Sequence, residues 1–248
     1  MTYLEVKNVT HHFFKEQQVA TALEDVNFTV ASGEFVSFLG PSGCGKSTLL
    51  SLLAGLLKPT TGSINFAEPD VEIGYMLQQD FLFPWKTIEE NVALGLKLLK
   101  KEDDRSIVDE LLEQFELAHT KKLYPPQLSG GMRQRIALAR TLAVKPTLLL
   151  LDEPFSALDF RSKLSLENFV SDTLKQFSTT TILVTHDISE AIAMSDKVFI
   201  FSPRPGSIVK SFIIPQEIRE LTPFDARNAP AFQVLFQEIW KELDSDEY

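Results

Sequence analysis

"LGPSGCGKSTLL", residues 39–50, sets three glycines and a proline ahead of a lysine and two hydroxyl side chains. Glycine loses more conformational freedom on ordering than any other residue, so a loop this bare implies a backbone that must come close to something. Gly40, Pro41, Ser42, Gly43, Cys44, Gly45, Lys46 and Ser47 fit the pattern G-x-x-x-x-G-K-[ST]. There the loop N–H groups and the N-terminus of the next helix make an anion site for nucleotide phosphates. Lys46 is placed for the β- and γ-phosphates, the Ser47 hydroxyl for Mg²⁺, and Thr48 follows at the helix start. The flanks agree with this reading. "EFVSFLG" (34–40) is an apolar strand, and "KSTLLSLLAGLL" (46–57) has helical apolar density that stops at the breaker "KPTTG" (58–62).

On either side the chain alternates between strand and helix signals. "YLEVKNV" (3–9) and "EDVNFTV" (24–30) alternate apolar and polar residues and predict short strands. "VEIGYML" (71–77) predicts another, followed by the loop "QQDFLFPW" (78–85). Thr87 and Glu90 in "TIEE" form a capping box. In "EDDRSIVDELLEQF" (102–115), Ile107, Val108, Leu111, Leu112 and Phe115 share one helical face. A helical lobe of about 81–135 is therefore expected within a core of about 1–80 and 136–215. The core resumes with the helix "GGMRQRIALARTLAV" (130–144), ended by Pro146, and the buried strands "TLLLLDE" (147–153), "TTILVTHD" (180–187) and "KVFIF" (197–201). Strands alternating with helices imply a parallel α/β sheet. Beyond Pro215 a loop and one amphipathic helix are expected within 216–248, with Phe232, Leu235, Phe236, Ile239 and Leu243 on one face and a frayed tail, "DSDEY".

Two more strings carry chemistry. In "LLLLDEP" (148–154) four leucines bury the strand, so Asp152 and Glu153 emerge at its C-terminal edge, where open α/β sheets bind ligands. Asp152 is placed to hold Mg²⁺ through its shell and Glu153 to polarise an attacking water. In "LSGGMRQR" (128–135) Ser129 is an N-cap, and Gly130 and Gly131 open a helix, making a second anion site. A nucleotide has one γ-phosphate, already cradled by the first loop, so the chain carries two half-sites.

At its distance ahead of Asp152, "LSGGMRQR" resembles the signature of ATP-binding cassette (ABC) ATPases, and the resemblance covers residues 2–213 with the motifs in order. It implies a RecA-like phosphate-loop core with a parallel sheet, an N-terminal antiparallel β subdomain and an inserted helical subdomain. Phe13 matches the aromatic that stacks on adenine, with Phe14 as the neighbouring alternative. Gln78 matches the glutamine that meets Mg²⁺ and the attacking water, with Gln79 as runner-up. Ser156, Ala157, Leu158 and Asp159 match the loop that crosses a dimer interface, and His186 the histidine facing the γ-phosphate. The resemblance further implies ATP and Mg²⁺, hydrolysis, and two copies head to tail, with Ser129, Gly130 and Gly131 of one closing over ATP held by Lys46 of the other.

"LQQDFLFPWKTIEENV" (77–92) and "SPRPGSIVKSFIIP" (202–215) resemble the ATPases of nitrate, sulfonate and taurine importers, whose relatives also import thiamine-precursor pyrimidines. This implies a separate membrane-spanning permease and, indirectly, a solute-binding protein. The apolar group Phe81, Leu82, Phe83, Pro84 and Trp85 is expected to be exposed and to receive the permease. The alternative is a soluble ABC ATPase of nucleic-acid or translation function, whose usual second cassette or coiled-coil insertion is not found in this sequence. Across 248 residues the net charge is −10, which argues against a nucleic-acid-coating protein. No apolar run is long enough to span a bilayer, and "MTYLEVKNV" lacks a signal-peptide pattern, so a peripheral place on the cytoplasmic face of the membrane is expected. The single cysteine, Cys44, fits a reducing compartment. A bulky adduct on its thiol is expected to block nucleotide binding, and MgATP to protect it.

Overall fold

The hairpin of β1 (Thr2–Lys15) and β2 (Gln18–Ala31) opens the chain in a computed structural model that describes residues 2–15, 18–100 and 106–245. Both strands are longer than the alternating stretches suggest. Register shifts between Val6 and Val9, with Asn8 and Asp25 at φ 48° and 47°, break the period-2 pattern without ending the pairing. The Asn27 side chain accepts from the Asn8 N–H at 2.7 Å and so supports the bulge. The chain then enters β3 (Phe35–Leu39), the glycine loop, and α1 (Lys46–Leu53). This helix ends before "KPTTG", because Gly55 turns the chain at φ 72°. The Gly55 N–H donates to Leu52 O and the Leu56 N–H to Ser51 O, which closes a Schellman motif. β4 (Thr61–Phe66) returns to the other edge of β1, giving a three-stranded antiparallel sheet of order β2-β1-β4.

β5 (Ile73–Met76) leads into the helical lobe: α2 (Ile88–Val92), α3 (Leu94–Leu98) and α4 (Ser106–Gln114). The Thr87 capping box is present, with the Thr87 N–H donating to Glu90 Oε2 at 2.8 Å and the Glu90 N–H to Thr87 Oγ1 at 3.3 Å. The start of the expected helix, residues 102–105, lies outside the described residues. α5 (Gly130–Ala143) packs on α2, α3 and α4 and also on β5, which ties the lobe to the sheet.

After α5 come β6 (Leu148–Asp152), α6 (Phe160–Phe177), β7 (Thr180–Val184), α7 (Ile188–Met194), β8 (Lys197–Phe201) and β9 (Ile208–Ile213). The second sheet has order β5-β6-β7-β3-β8-β9, parallel throughout except for β8–β9. Successive side chains of its buried strands feed opposite faces. Leu149, Leu151 and Leu183 pack with the helical lobe and α6, whereas Leu148, Leu150, Ile182 and Val184 pack with α1 and the antiparallel sheet. The loop expected after Pro215 holds two one-turn helices, α8 (Gln216–Arg219) and α9 (Pro223–Ala226), the second capped by Thr222. Such short turns leave no periodicity to read. α10 (Pro230–Ser245) follows, burying Phe232, Leu235 and Ile239 against α7 and β8 with Phe236 and Leu243 at its margin. The last three residues of the expected frayed tail lie outside the described residues.

Candidate nucleotide site

Sheet order builds the site. Gln78 lies just beyond β5, Glu153 just beyond β6, His186 just beyond β7 and Gly40 just beyond β3, four strands adjacent in the sheet. The Asp152–Val184 and Val184–Phe38 pairings level their C-terminal ends. Loops far apart in sequence therefore meet along one edge.

They form a cleft of about 340 Å³ whose lining includes Phe13, Ser42, Gly43, Gly45, Lys46, Ser47, Thr48, Gln78 and Glu153. Phe13 is on its wall, while Phe14 points away and is 73% exposed. Gly43 and Gly45 adopt φ 79° and 105°, and a Cβ on Gly45 would stand 2.6 Å from Ala22 O. The Lys46 ammonium donates to Gly40 O at 2.8 Å and Pro41 O at 2.9 Å, folded across the loop. Glu153 has φ 50°, a costly conformation for a non-glycine residue. Its N–H donates to Val184 O at 2.9 Å, and its carbonyl accepts from Gln134 Nε2 at 3.1 Å and Ser156 Oγ at 3.0 Å. So held, its carboxylate accepts from Gln78 Nε2 at 3.2 Å and lies 3.4 Å from His186 Nδ1.

Asp152, the last residue of β6, is buried beside the Ser47 hydroxyl. Burial pushes its carboxyl above the ordinary range, Ser47 bonding opposes this, Glu153 adds to it and Lys46 pulls back. A hydroxyl and a desolvated carboxyl, with the Gln78 amide at the cleft, form an all-oxygen donor set that suits Mg²⁺. Among the described residues no group of three His, Cys, Asp or Glu side chains can hold a metal alone. An ion held there would take its other ligands from phosphate and water.

The second anion site has the expected cap, with the Met132 N–H donating to Ser129 Oγ at 3.3 Å. Gly130 lines a different cavity, shared with Gln78, Gln79 and Ala157. Gln78 thus borders both openings and Gln79 only this one. Ser156, Ala157 and Asp159 are exposed, and Leu158 half-buried.

Cys44 requires a correction. Its side chain is 1% exposed and packs into the core with Phe38, Leu49 and Phe201, its sulfur accepting from the Lys46 ammonium at 3.4 Å. Its thiol is therefore expected to alkylate slowly whether or not MgATP is present. Mass spectrometry after iodoacetamide treatment should show near-equal labelling in both conditions and full labelling only in denaturant. The exposed apolar group is corrected in part. Phe81, Pro84 and Trp85 are exposed, Phe83 is half-buried, and Leu82 belongs to the core.

Sequence reasoning missed several contributors. Arg204 lines the cleft and donates from Nε to Thr21 O at 3.2 Å. Gly206 presses so closely on the phosphate loop that a Cβ would stand 1.9 Å from Cys44 O. The turn "RPG" was the available signal. Arg133 Nε donates to Asp80 Oδ2 at 2.9 Å, and Arg140 donates to the carbonyls of Asp80 and Phe81 at 2.7 and 2.9 Å. Both arginines fasten the loop after Gln78 to α5, and their seven-residue spacing, two helical turns, could have shown it.

Fold and site together define a nucleotide-binding ATPase cassette. The family profile described as ABC transporter matches residues 23–156, and this chain belongs to that family. It is 58% identical to "Uncharacterized ABC transporter ATP-binding protein YtlC" of Bacillus subtilis, over 99% of this chain and 97% of that one. Identity is 43% to the aliphatic sulfonates import ATP-binding protein SsuB of Bacillus licheniformis, covering 95% and 92%. It is 37% to the nitrate import ATP-binding protein NrtD of Synechocystis, covering 96% and 93%. Among solved structures it resembles the dimeric, post-hydrolysis cassette MJ0796 bound to ADP and Pi, with TM-score 0.78 and 32% identity over 86% of this chain and 99% of that one.

Proposed function

We propose that this chain is the ATP-binding and hydrolysing subunit that powers a multi-subunit importer of a small solute, of the sulfonate or nitrate kind. The observation that carries the proposal is the convergence of Gln78 and His186, at 3.2 and 3.4 Å, on Glu153, which lines the cleft formed by the phosphate loop. The names of the relatives describe transport subunits, which speaks against the nucleic-acid or translation alternative. No helix among the described residues is long and apolar enough to cross a membrane. In this reading the solute path belongs to a separate permease, reached from the cytoplasmic face.

In this reading adenine stacks on Phe13 and the triphosphate lies along Gly40–Thr48. Lys46 exchanges its loop carbonyls for β- and γ-phosphate oxygens. Ser47, Asp152 and Gln78 would hold Mg²⁺, which would supply positive charge to the phosphates. Glu153 Oε orients the attacking water and takes its proton, while His186 meets the γ-phosphoryl group from the side of β7. The second copy completes the site. The oxygen of Ser129 already accepts from Met132, so its O–H is free to donate, and the first N–H groups of α5 have no helical acceptor. Those donors from one copy close over the γ-phosphate held by the other, and the exposed loop 156–159 crosses between them.

The helical lobe of about 81–135 carries the permease contact, centred on Trp85 and Phe81. Trp85 is 70% exposed and touches Phe83 with ring centroids 5.2 Å apart. An apolar patch at this place, pinned to α5 through Arg133 and Arg140, suits a partner's apolar helix. Trp85→Ala is expected to leave the melting temperature and ATP affinity near wild type, since an exposed truncation costs within about 0.5 kcal/mol. It should abolish co-purification with the permease from detergent-solubilised membranes. The unsubstituted chain co-purifying with ribosomes or nucleic acid instead would overturn the transport reading.

A further inference from the structure

Beneath the site lies an ion cluster that the mechanism above does not use. Lys163, in the first turn of α6, sends its ammonium to Asp187 Oδ2 at 2.7 Å and Glu190 Oε2 at 2.8 Å, with Glu167 at 3.9 Å. Its side chain is largely buried and borders a small cavity of about 120 Å³ that also touches Glu153, Ser156, Thr185 and His186. On the far side Arg227, just after α9, pairs with Glu167 at 2.7 Å.

Each end of the Lys163 bridge is rigidly joined to a loop of the site. Asp159, the last residue of the exposed interface loop, caps α6 by accepting from the Ser162 N–H at 3.1 Å, and its carbonyl accepts from the Lys163 N–H at 2.9 Å. Asp187 directly follows His186. It caps α7 by accepting from the Ser189 and Glu190 N–H groups at 2.8 and 3.2 Å, and its own N–H donates to Thr185 Oγ1 at 3.0 Å. The His186 side chain is 63% exposed, and among the described residues its one ionic partner is Glu153. Its placement therefore depends on the backbone beneath it.

We infer that Lys163 is a positioning residue for hydrolysis, holding the His186 loop in register with the 156–159 loop. The inference rests on the reading of His186 as a γ-phosphate-facing residue. Two loops of the site, the His186 loop carried by β7 and the interface loop in the turn after β6, are clamped by one ammonium. Burial would lower the Lys163 pKa, but Glu190 and Asp187 prevail and raise it, so the clamp stays charged. Burial would likewise push Asp187 up, but Lys163 and the helix N–H groups hold it below the ordinary range. Glu167 is pushed up to about 7 by burial despite Arg227, so near neutral pH this carboxyl is partly protonated and carries less than a full negative charge.

The test is steady-state ATPase kinetics and thermal melting on the full chain for five variants. Lys163→Met and Asp187→Asn should each lower kcat roughly tenfold or more with KM for ATP within about twofold, because ATP binds on the other loops. Asparagine keeps the α7 cap and loses only the ion pair, so Asp187→Asn decides the matter if Lys163→Met fails to fold. Lys163→Arg, which reaches both carboxylates, should restore most of kcat. Arg227→Met loosens the same cluster away from the loops and should lower the melting temperature with kcat near wild type. Wild-type kcat in Asp187→Asn, or an equal kcat loss in Arg227→Met, overturns the inference. His186→Ala separates the two ideas. Its inactivity alongside a fully active Asp187→Asn rejects the clamp alone, whereas wild-type turnover in His186→Ala rejects the reading of the site itself.

Discussion

Glu153→Gln is expected to bind MgATP, to hydrolyse it at least a hundredfold more slowly than wild type, and to accumulate as a dimer. The magnitude is what a positioned general base supplies, about 10²–10⁴ in rate. Glutamine keeps the shape and can still bond Gln78 and His186, which lie 3.2 and 3.4 Å from the carboxylate, but it cannot take the proton of the attacking water. ATP that is bound and not cleaved then holds the two copies together, each nucleotide between Lys46 of one and Ser129 of the other. Size-exclusion chromatography with light scattering should show a monomer without nucleotide and a dimer with MgATP. Ser129→Arg is the companion variant. Its own phosphate loop is untouched, so it should bind ATP, but an arginine at the mouth of α5 blocks closure, leaving a monomer without turnover. Normal hydrolysis by Ser129→Arg would reject the two-copy site.

Lys46→Ala is expected to lose nucleotide binding itself, and pairing with it. The ammonium makes charge-assisted contacts, each worth about 1.5–3 kcal/mol, so affinity for MgATP should fall by roughly 10- to 100-fold or more. The same substitution frees the carbonyls of Gly40 and Pro41, which Lys46 engages at 2.8 and 2.9 Å, and leaves the fold to the glycine backbone and the strand. Isothermal titration calorimetry with a non-hydrolysable ATP analogue measures the loss, and circular dichroism checks that the protein remains folded. Affinity within twofold of wild type would remove Lys46 from the phosphate site.

The chemistry of the site was written locally. A strand running into a glycine loop, a leucine strand ending in two acids and a serine-capped helix are each set by a few consecutive residues, and the structure places them as their periods and caps require. The exceptions had local causes. Bulges at Asn8 and Asp25 hid the full length of β1 and β2, Gly55 ended α1 early, and α8 and α9 were too short to show a period.

What the sequence alone determined is the set of donors, acceptors and strand–loop–helix units. Which of them meet was decided by the order β5-β6-β7-β3, because strand neighbours are chosen by long-range packing that no local pattern encodes. That order brings Gln78 to Glu153 across 75 residues of chain and sets His186, just beyond the neighbouring strand β7, 3.4 Å from Glu153. Tertiary packing also separates the members of pairs that sequence left open. Phe13 rather than Phe14 faces the cleft, since adjacent residues of a strand point to opposite faces. Gln78 rather than Gln79 bonds Glu153. The burial of Cys44 and the clamp from Lys163 to Asp187 arise the same way, from elements distant in the chain that desolvate and pair side chains only once they are packed together.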